Sequence, residues 1–291
     1  MENFAKKLSV ADSLAKMTEA DFRQLSRFVQ ETWGIKLPLN KKLMLEGRLR
    51  RRLSQLHMAD YREYCEYLFS PEGHDREARE MIDLVSTNKT DFFREAEHFT
   101  YLVDQAIPEL RGSHSVGDYG VPLKIWSAGC SSGEEPYTMA MVLSDYAEHQ
   151  PGFRFSIYAS DISQRVLQAA VMAIYNEAKI APVPLDMRRK YLMRSKDSSK
   201  QQVRFVPQIR NLITFDRINL MNIDEQVEEV FHIIFCRNVI IYFDRATQEI
   251  LLNKFSHKLC PGGYLFLGHS EALAGMQVPF RSVAPMVYRK I

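Results

Sequence analysis

The sequence predicts an α/β protein: an open, doubly wound, mostly parallel sheet, preceded by a small all-helical domain and carrying a small antiparallel insertion. Three observations predict it. Residues 18–85 keep helical apolar spacing and show no strand pattern. Leu123 to Tyr137 (LKIWSAGCSSGEEPY) reads as a strand, a glycine-containing turn and a helix start. Residues 175–216 then break the strand–helix rhythm with short alternating runs. The expected boundaries are 1–85 for the helical domain, 86–291 for the α/β domain and about 176–216 for the insertion.

In the helical domain, Thr18 followed by Asp21 resembles a capping box with a shorter acid. Phe22, Leu25, Val29 and Trp33 keep helical spacing, and Gly34 is placed to end that helix in the left-handed conformation. A second helix starts near Asn40 and carries the stripe Leu45, Leu49, Leu53, Leu56. A third spans Tyr61 to Phe69, is broken by Ser70-Pro71-Glu72-Gly73, and a fourth follows from Asp75 to Val85. The second helix and its approach hold Lys36, Lys41, Lys42, Arg48, Arg50, Arg51 and Arg52 against one acid, Glu46. Arg48, Arg51 and Arg52 flank the leucine stripe, while Arg50 points away from it. Such a face is either solvated, with arginine stems covering the core edge, or a docking surface for an acidic partner, nucleic acid or protein.

Ser86 to Glu95 (STNKTDFFRE) reads as a linker into a helix capped at Thr90 and running to about Leu110. Residues 112–120 read as a glycine-rich surface loop. The run Leu123 to Trp126 suits a buried strand, and small residues from Ser127 to Gly133 lead to a helix expected to begin at Pro136. Proline fits the first helical position and disfavours the α region at Glu135 before it. The resulting shelf lets backbone approach a ligand closely. A dinucleotide pyrophosphate is a poor candidate, because Glu134 and Glu135 would repel it and Gly129 and Gly133 do not make G-x-G-x-x-G. Acids here either complement the helix dipole or receive a cationic ligand end such as an amino-acid ammonium. S-adenosylmethionine, with an ammonium, a ribose and an adenine, fits better.

Phe153 to Ala159 alternates like a second strand and ends at Ser160-Asp161. Asp161 can accept from two ribose hydroxyls, cap the helix Ile162 to Met172, or both. The insertion holds a short helix after Pro184, a polar turn from Ser195 to Gln202, and alternating runs at Val203 to Val206 and Leu212 to Phe215. Arg217 to Met221 then ends a strand with Asn219, an amide in reach of adenine. His232 to Phe243 reads as a buried strand with Arg237, Asn238 and Tyr242 toward its carboxyl end, where ligands of open α/β sheets gather. A helix over Thr247 to Leu259, a strand over Tyr264 to Leu267 and a terminal strand pair from Pro279 to Arg289 complete the chain.

Bulk properties exclude several classes. Of 291 residues, 46% are hydrophobic and 25% charged, ordinary for a soluble globular protein, and a net charge of +2 favours no partner. Cys65, Cys130, Cys236 and Cys260 lie far apart, with no paired Cys/His spacing, which argues against structural zinc and a disulfide scaffold. The first twelve residues have no apolar core for a signal peptide, and no run reaches about 18 apolar residues. The expectation is a cytoplasmic protein with no metal and no membrane insertion.

N-K-T-D-F-F-R-E, S-A-G-C-S-S-G-E-E-P-Y, F-C-R-N-V-I-I-Y-F and L-C-P-G-G-Y-L-F-L-G-H-S-E follow the helix-rich start in order, and together they closely resemble the CheR family of chemotaxis receptor methyltransferases. The resemblance implies a class I S-adenosylmethionine-dependent methyltransferase sheet behind a helical domain, with an inserted β-subdomain. It implies methyl transfer to glutamate side chains of bacterial chemoreceptors, giving glutamate methyl esters and S-adenosylhomocysteine. By the same resemblance Asn88, Thr90 and Arg94 lie over the cofactor, and Glu135 and Asp161 hold its ammonium and ribose ends. Asn219, Leu220, Arg237 and Asn238 line the rest, with Arg94 and Tyr242 nearest the methyl group. Arg48, Arg50, Arg51 and Arg52 dock the cytoplasmic methylation helices of the receptor, to whose membrane arrays a monomeric enzyme is recruited. The turn Ser195 to Gln202 lacks the glycines expected in members that hold a receptor tail.

The chemistry suits these residue types. A glutamate is ionised at pH 7 (reference pKa about 4.3), so no general base is needed and alignment is the main task. Two rivals share the fold. A nucleic-acid methyltransferase often carries an Asn/Asp-Pro-Pro-Tyr run where this chain has Arg237-Asn238-Val239-Ile240, so no nucleic-acid partner is expected. A non-catalytic cofactor sensor is opposed by the presence of Arg94 and Tyr242.

Overall fold

The computed structural model describes residues 16–114, 116–117 and 121–291. The expectation about the first twelve residues, and part of that for 112–120, lies outside the described residues. Two compact units emerge. One runs through Thr87 and includes Tyr242–Asp244; the other is Asn88–Ile241 with Arg245–Ile291.

The first unit is helical because its apolar residues recur on one face of each segment. In α1 (Glu19–Trp33), Thr18 Oγ1 accepts from the Asp21 N–H and the Asp21 carboxylate accepts from the Thr18 N–H, a reciprocal cap. Gly34, at φ 73°, ends it. After a 3-10 turn, α2 (Lys42–Leu56) begins two residues later than its apolar spacing indicated, burying Leu45, Leu49 and Leu53. Asp60 caps α3 (Tyr61–Leu68), and α4 (His74–Val85) closes the set. Among its described residues, the nearest thing to a strand is one antiparallel bridge between Ile35 and Phe243.

The second unit begins differently from the expectation. Thr90 does not cap a helix: residues 86–91 are irregular, 92–96 form turns, and α5 starts at Glu97 (Glu97–Tyr101). Its rod continues through a π-turn (Leu102–Ala106) into α6 (Ile107–His114), so Gly112 is helical rather than part of a loop. Next come β1 (Leu123–Ala128), α7 (Glu134–Glu148), β2 (Phe155–Asp161) and α8 (Gln164–Met172). The insertion consists of β3 (Ile174–Asn176), α9 (Leu185–Tyr191), β4 (Leu192–Arg194) and β5 (Gln202–Phe205). The chain returns through α10 (Pro207–Arg210), β6 (Ile213–Arg217), α11 (Ile223–Gln226) and β7 (Phe231–Cys236). It ends with α12 (Arg245–His257), β8 (Leu259–Leu267), β9 (Phe280–Ala284) and β10 (Val287–Lys290).

The main sheet has the order β6-β2-β1-β7-β8-β10-β9. Strands β6 to β8 of that order are parallel, and β10 runs antiparallel to both neighbours. The order turns back at β1, which puts a crevice outside the carboxyl ends of β1 and β7. A separate sheet, β3-β5-β4, is antiparallel. The run at Leu212 to Phe215, expected inside the insertion, instead forms β6 beside β2, because its alternating face packs against the main core. The inserted sheet is therefore bounded by β3 and β5 rather than reaching residue 216. Phe205 on β5 stacks on Tyr137 of α7, centroids 4.3 Å apart, and anchors it.

Three further boundaries differ from the sequence reading. Helix α7 starts at Glu134, with Gly133 at φ 94° before it, so Pro136 is its third residue and Glu135 is helical. Nothing is lost, since the first four helical N–H groups have no intrahelical acceptor. The buried strand expected over His232 to Phe243 stops at Cys236, and Ile240–Tyr242 is a 3-10 turn. Conversely β8 starts at Leu259, absorbing Cys260 to Gly263. Leu259 pairs with Phe231 but Tyr264 with Ile233, a bulge with Gly262 at φ 71°.

Candidate functional site

The carboxyl ends of β1, β2, β6 and β7 carry most of the candidate residues. After β1, the Gly129 and Cys130 N–H groups both donate to the Ser160 carbonyl of β2 (2.8 and 2.9 Å). Gly129 sits at φ 84°, and a Cβ there would come within 2.4 Å of Val239, so this position requires glycine. The tight turn aims the Ser131 N–H at Asp161 Oδ2 (2.9 Å), while Oδ1 accepts from Ser163 (2.9 Å). Ser163, not Asp161, caps α8.

The two adjacent acids diverge. Glu134 is buried and turns to the insertion, with Lys179 Nζ at 2.5 Å and Ser132 Oγ at 2.7 Å. Glu135 turns to the crevice, accepting from Ser127 Oγ (2.7 Å) with Arg237 Nη1 3.3 Å away. Burial pushes the Glu135 pKa above the ordinary carboxylate value, against the pull of Arg237 and Ser127.

Arg237 follows β7 and has a side chain only 2% exposed. It pairs with Glu95 (Nη2 to Oε2, 3.2 Å), donates to the Arg94 carbonyl and lies over the Phe99 ring at 5.4 Å. It acts as a strut between Glu95 and Glu135 rather than as an open ligand. Burial works to raise the Glu95 pKa, but Arg237 and donors from His269 and Asn238 outweigh it and leave the pKa lowered.

Asn238, at φ 59°, is held by Glu271, which accepts the N–H groups of Asn238 (2.7 Å), Gly268 (2.7 Å) and Ile241 (3.2 Å). A Cβ at Gly268 would strike the Asn238 side chain at 2.4 Å. Asn219 follows β6 and caps the turn Leu220–Asn222 by accepting from Met221 (3.1 Å); Leu220 is buried in that turn. Ile218 donates to the Asp161 carbonyl, which ties this corner to β2.

Asn88 and Thr90 join the same end through their carbonyls, which accept from Ser131 Oγ and Lys179 Nζ (3.2 Å each). Arg94 is 37% exposed between two left-handed residues, Phe93 (φ 54°) and Glu95 (φ 53°), and donates to the Lys89 carbonyl at 3.1 Å. With Ser131 and Asn238, four of the eight described non-glycine residues at positive φ lie in these loops. Such conformations persist where the surroundings over-determine them, and they cluster at working sites.

Tyr242 belongs instead to the helical unit, where its carbonyl accepts from the Lys36 N–H (2.8 Å). The four arginines of α2 also divide. Arg52 forks onto buried Glu77 (2.6 and 2.9 Å), and Arg48 binds the carbonyls of Leu84, Val85 and Ser86 at the end of α4. Both hold the helices together, which narrows the docking expectation to Arg50, 43% exposed beside Glu46, and exposed Arg51. Sequence reasoning assigned no role to Glu95, Lys179 or Glu271. Their only sequence signal was membership of quoted motifs, for Glu95 and Glu271, and none for Lys179.

Residues 20–86 match the family model described as CheR methyltransferase, all-alpha domain, and residues 88–288 match CheR methyltransferase, SAM binding domain. The chain is 38% identical over 275 residues to a chemotaxis protein methyltransferase of Borreliella burgdorferi, covering 94% of this chain and 95% of that protein. It is 36% identical over 281 residues to one of Escherichia coli, covering 97% and 94%. It is 35% identical over 272 residues to chemotaxis protein methyltransferase 2 of Pseudomonas aeruginosa, covering 93% of each.

Proposed function

The chain belongs to the CheR methyltransferase family and is an S-adenosylmethionine-dependent methyltransferase of chemotaxis; on that premise we propose that it methylates glutamate side chains of chemoreceptors to give methyl esters. The proposed substrate is the cytoplasmic domain of a methyl-accepting receptor, to whose arrays a monomeric enzyme is recruited. Among the described residues, no helix is long and apolar enough to cross a membrane.

The site fits the cofactor on its own geometry. Asp161 places a carboxylate at the end of β2, and Glu135 offers another beside a glycine turn that no side chain could enter. In this reading Asp161 takes the ribose, Glu135 the ammonium, and Asn219, Leu220 and Asn238 the adenine side, with Asn88 and Thr90 covering the pocket. S-adenosylmethionine, when bound, supplies an electrophilic sulfonium methyl group.

The observation that carries the glutamate reading is Arg94: a part-exposed guanidinium fixed at the crevice by a strained turn, with hydrogen-bonding capacity left for an incoming carboxylate. An ionised glutamate needs no base from the protein, so the task of Arg94 is to orient it. Arg94 should not bind it tightly, since that stabilises the ground state. Arg237 holds Glu95, Glu135 and the Arg94 carbonyl in register. Residues 1–85 are the receptor-docking domain, with Arg50 and Arg51 as the outward arginines of α2, and residues 86–291 the catalytic one.

Tritiated-methyl transfer onto receptor cytoplasmic fragments tests this. Base-labile label on glutamate is expected; base-stable label would mean an N-methyl product and overturn the assignment.

A further inference from the structure

Glu95 faces more than Arg237. His98 Nδ1 lies 3.6 Å from Glu95 Oε2, and the His269 N–H donates to Glu95 Oε1 (3.4 Å). The two imidazole rings stand edge to face, centroids 5.8 Å apart. One donor atom from each of Glu95, His98 and His269 lies within 4.8 Å of the other two. The His98 ring is 2% exposed, and neither of its nitrogens has a hydrogen-bond partner among the described residues. Buried polar atoms are nearly always partnered, so an orphaned imidazole between a carboxylate and a second imidazole points to a ligand.

We propose that Glu95, His98 and His269 form a binding site for a divalent transition-metal ion of the zinc class. Two imidazole nitrogens and one carboxylate oxygen are borderline donors that suit zinc, cobalt or nickel and disfavour magnesium or calcium, which take oxygen ligands. Three protein ligands leave a coordination position open. Glu97 Oε1 sits 2.5 Å from His269 Nε2 and fixes that ring, as outer carboxylates do for metal-bound histidines. The nearby charges are the carboxylates Glu95, Glu97 and Glu135 against the guanidiniums Arg237 and Arg94, an excess of one negative charge that a dication offsets. Sequence spacing concealed the set, because His269 lies far along the chain from the Glu95-x-x-His98 pair.

The test titrates chelator-treated full-length protein with Zn2+ by calorimetry and with Co2+ by visible absorption. Wild type should bind about one equivalent and give the d–d bands of a low-symmetry nitrogen/oxygen site. His269→Ala, at a side chain 57% exposed, should weaken binding by more than about 10-fold, as should Glu95→Gln. A ten-fold excess of Mg2+ should not displace the ion. Absence of a binding isotherm, binding unchanged in both variants, or displacement by Mg2+ would each overturn the proposal.

Discussion

Arg237 Nη1 and Glu135 Oε2 lie 3.3 Å apart, and the same guanidinium holds Glu95 on its other arm. A cation with 2% side-chain exposure thus works against the effect of burial on two carboxylates beside the crevice. Removing it leaves those charges facing each other in a poorly solvated place. Arg237→Met should cost about 3–5 kcal/mol of stability, the usual result of breaking a buried pair from one side. Denaturant unfolding with and without S-adenosylhomocysteine checks this; an unchanged midpoint would refute the strut role.

Arg94 sits between two left-handed residues with its side chain 37% exposed. Arg94→Ala should therefore leave the fold nearly intact while cutting methyl transfer by at least about 100-fold, more than any loss of cofactor affinity, the scale of a lost positioning group. Circular dichroism, cofactor calorimetry and labelled-methyl transfer read the three quantities separately. Equal loss of all three would mean a structural residue.

The raised pKa of Glu135 sets a pH limb. Burial lifts it above the ordinary 4.5, so as the pH falls Glu135 takes a proton earlier than an exposed carboxylate. Only the ionised form pairs with an ammonium; cofactor affinity should be full above the raised pKa and lost as the pH falls through it. Glu135→Gln should flatten that limb and weaken binding at pH 7.5 by about 10–100-fold, the worth of a hydrogen bond to a charged group. Calorimetry across pH 4.5–8 measures both.

The arginines of α2 should separate by experiment. Arg52→Ala leaves Glu77 buried without its cation and should cost about 3–5 kcal/mol. Arg50→Glu and Arg51→Glu should change stability by less than about 0.5 kcal/mol. They should raise KM for receptor fragments with little effect on kcat, most clearly at low salt. Unchanged KM in both would remove α2 from the docking surface.

What the sequence made legible was local. The Thr18–Asp21 cap, the left-handed Gly34 and the glycine turn after β1 follow from neighbouring residues, and the structure has all three. The inserted antiparallel sheet was also visible, but its far boundary was not, because β6 alternates as well in the main sheet as it would in the small one. The electrostatics of the site were hidden for a different reason. Glu95 and Arg237 stand 142 positions apart, and only the sheet order brings them together. Spacing on α2 likewise gave four similar arginines, whereas the packing of α4 decides which two face inward.

The contacts of the inserted sheet bear on how this enzyme can be altered. Lys179 reaches the buried Glu134 at the head of α7 and the Thr90 carbonyl, and Phe205 covers Tyr137 on the same helix. Trimming β3–β5 to a bare hairpin would leave the buried Glu134 side chain without its lysine and uncover an aromatic face. Chimeras that exchange this module between relatives must therefore carry its lysine and phenylalanine along, or the head of α7 loses its footing.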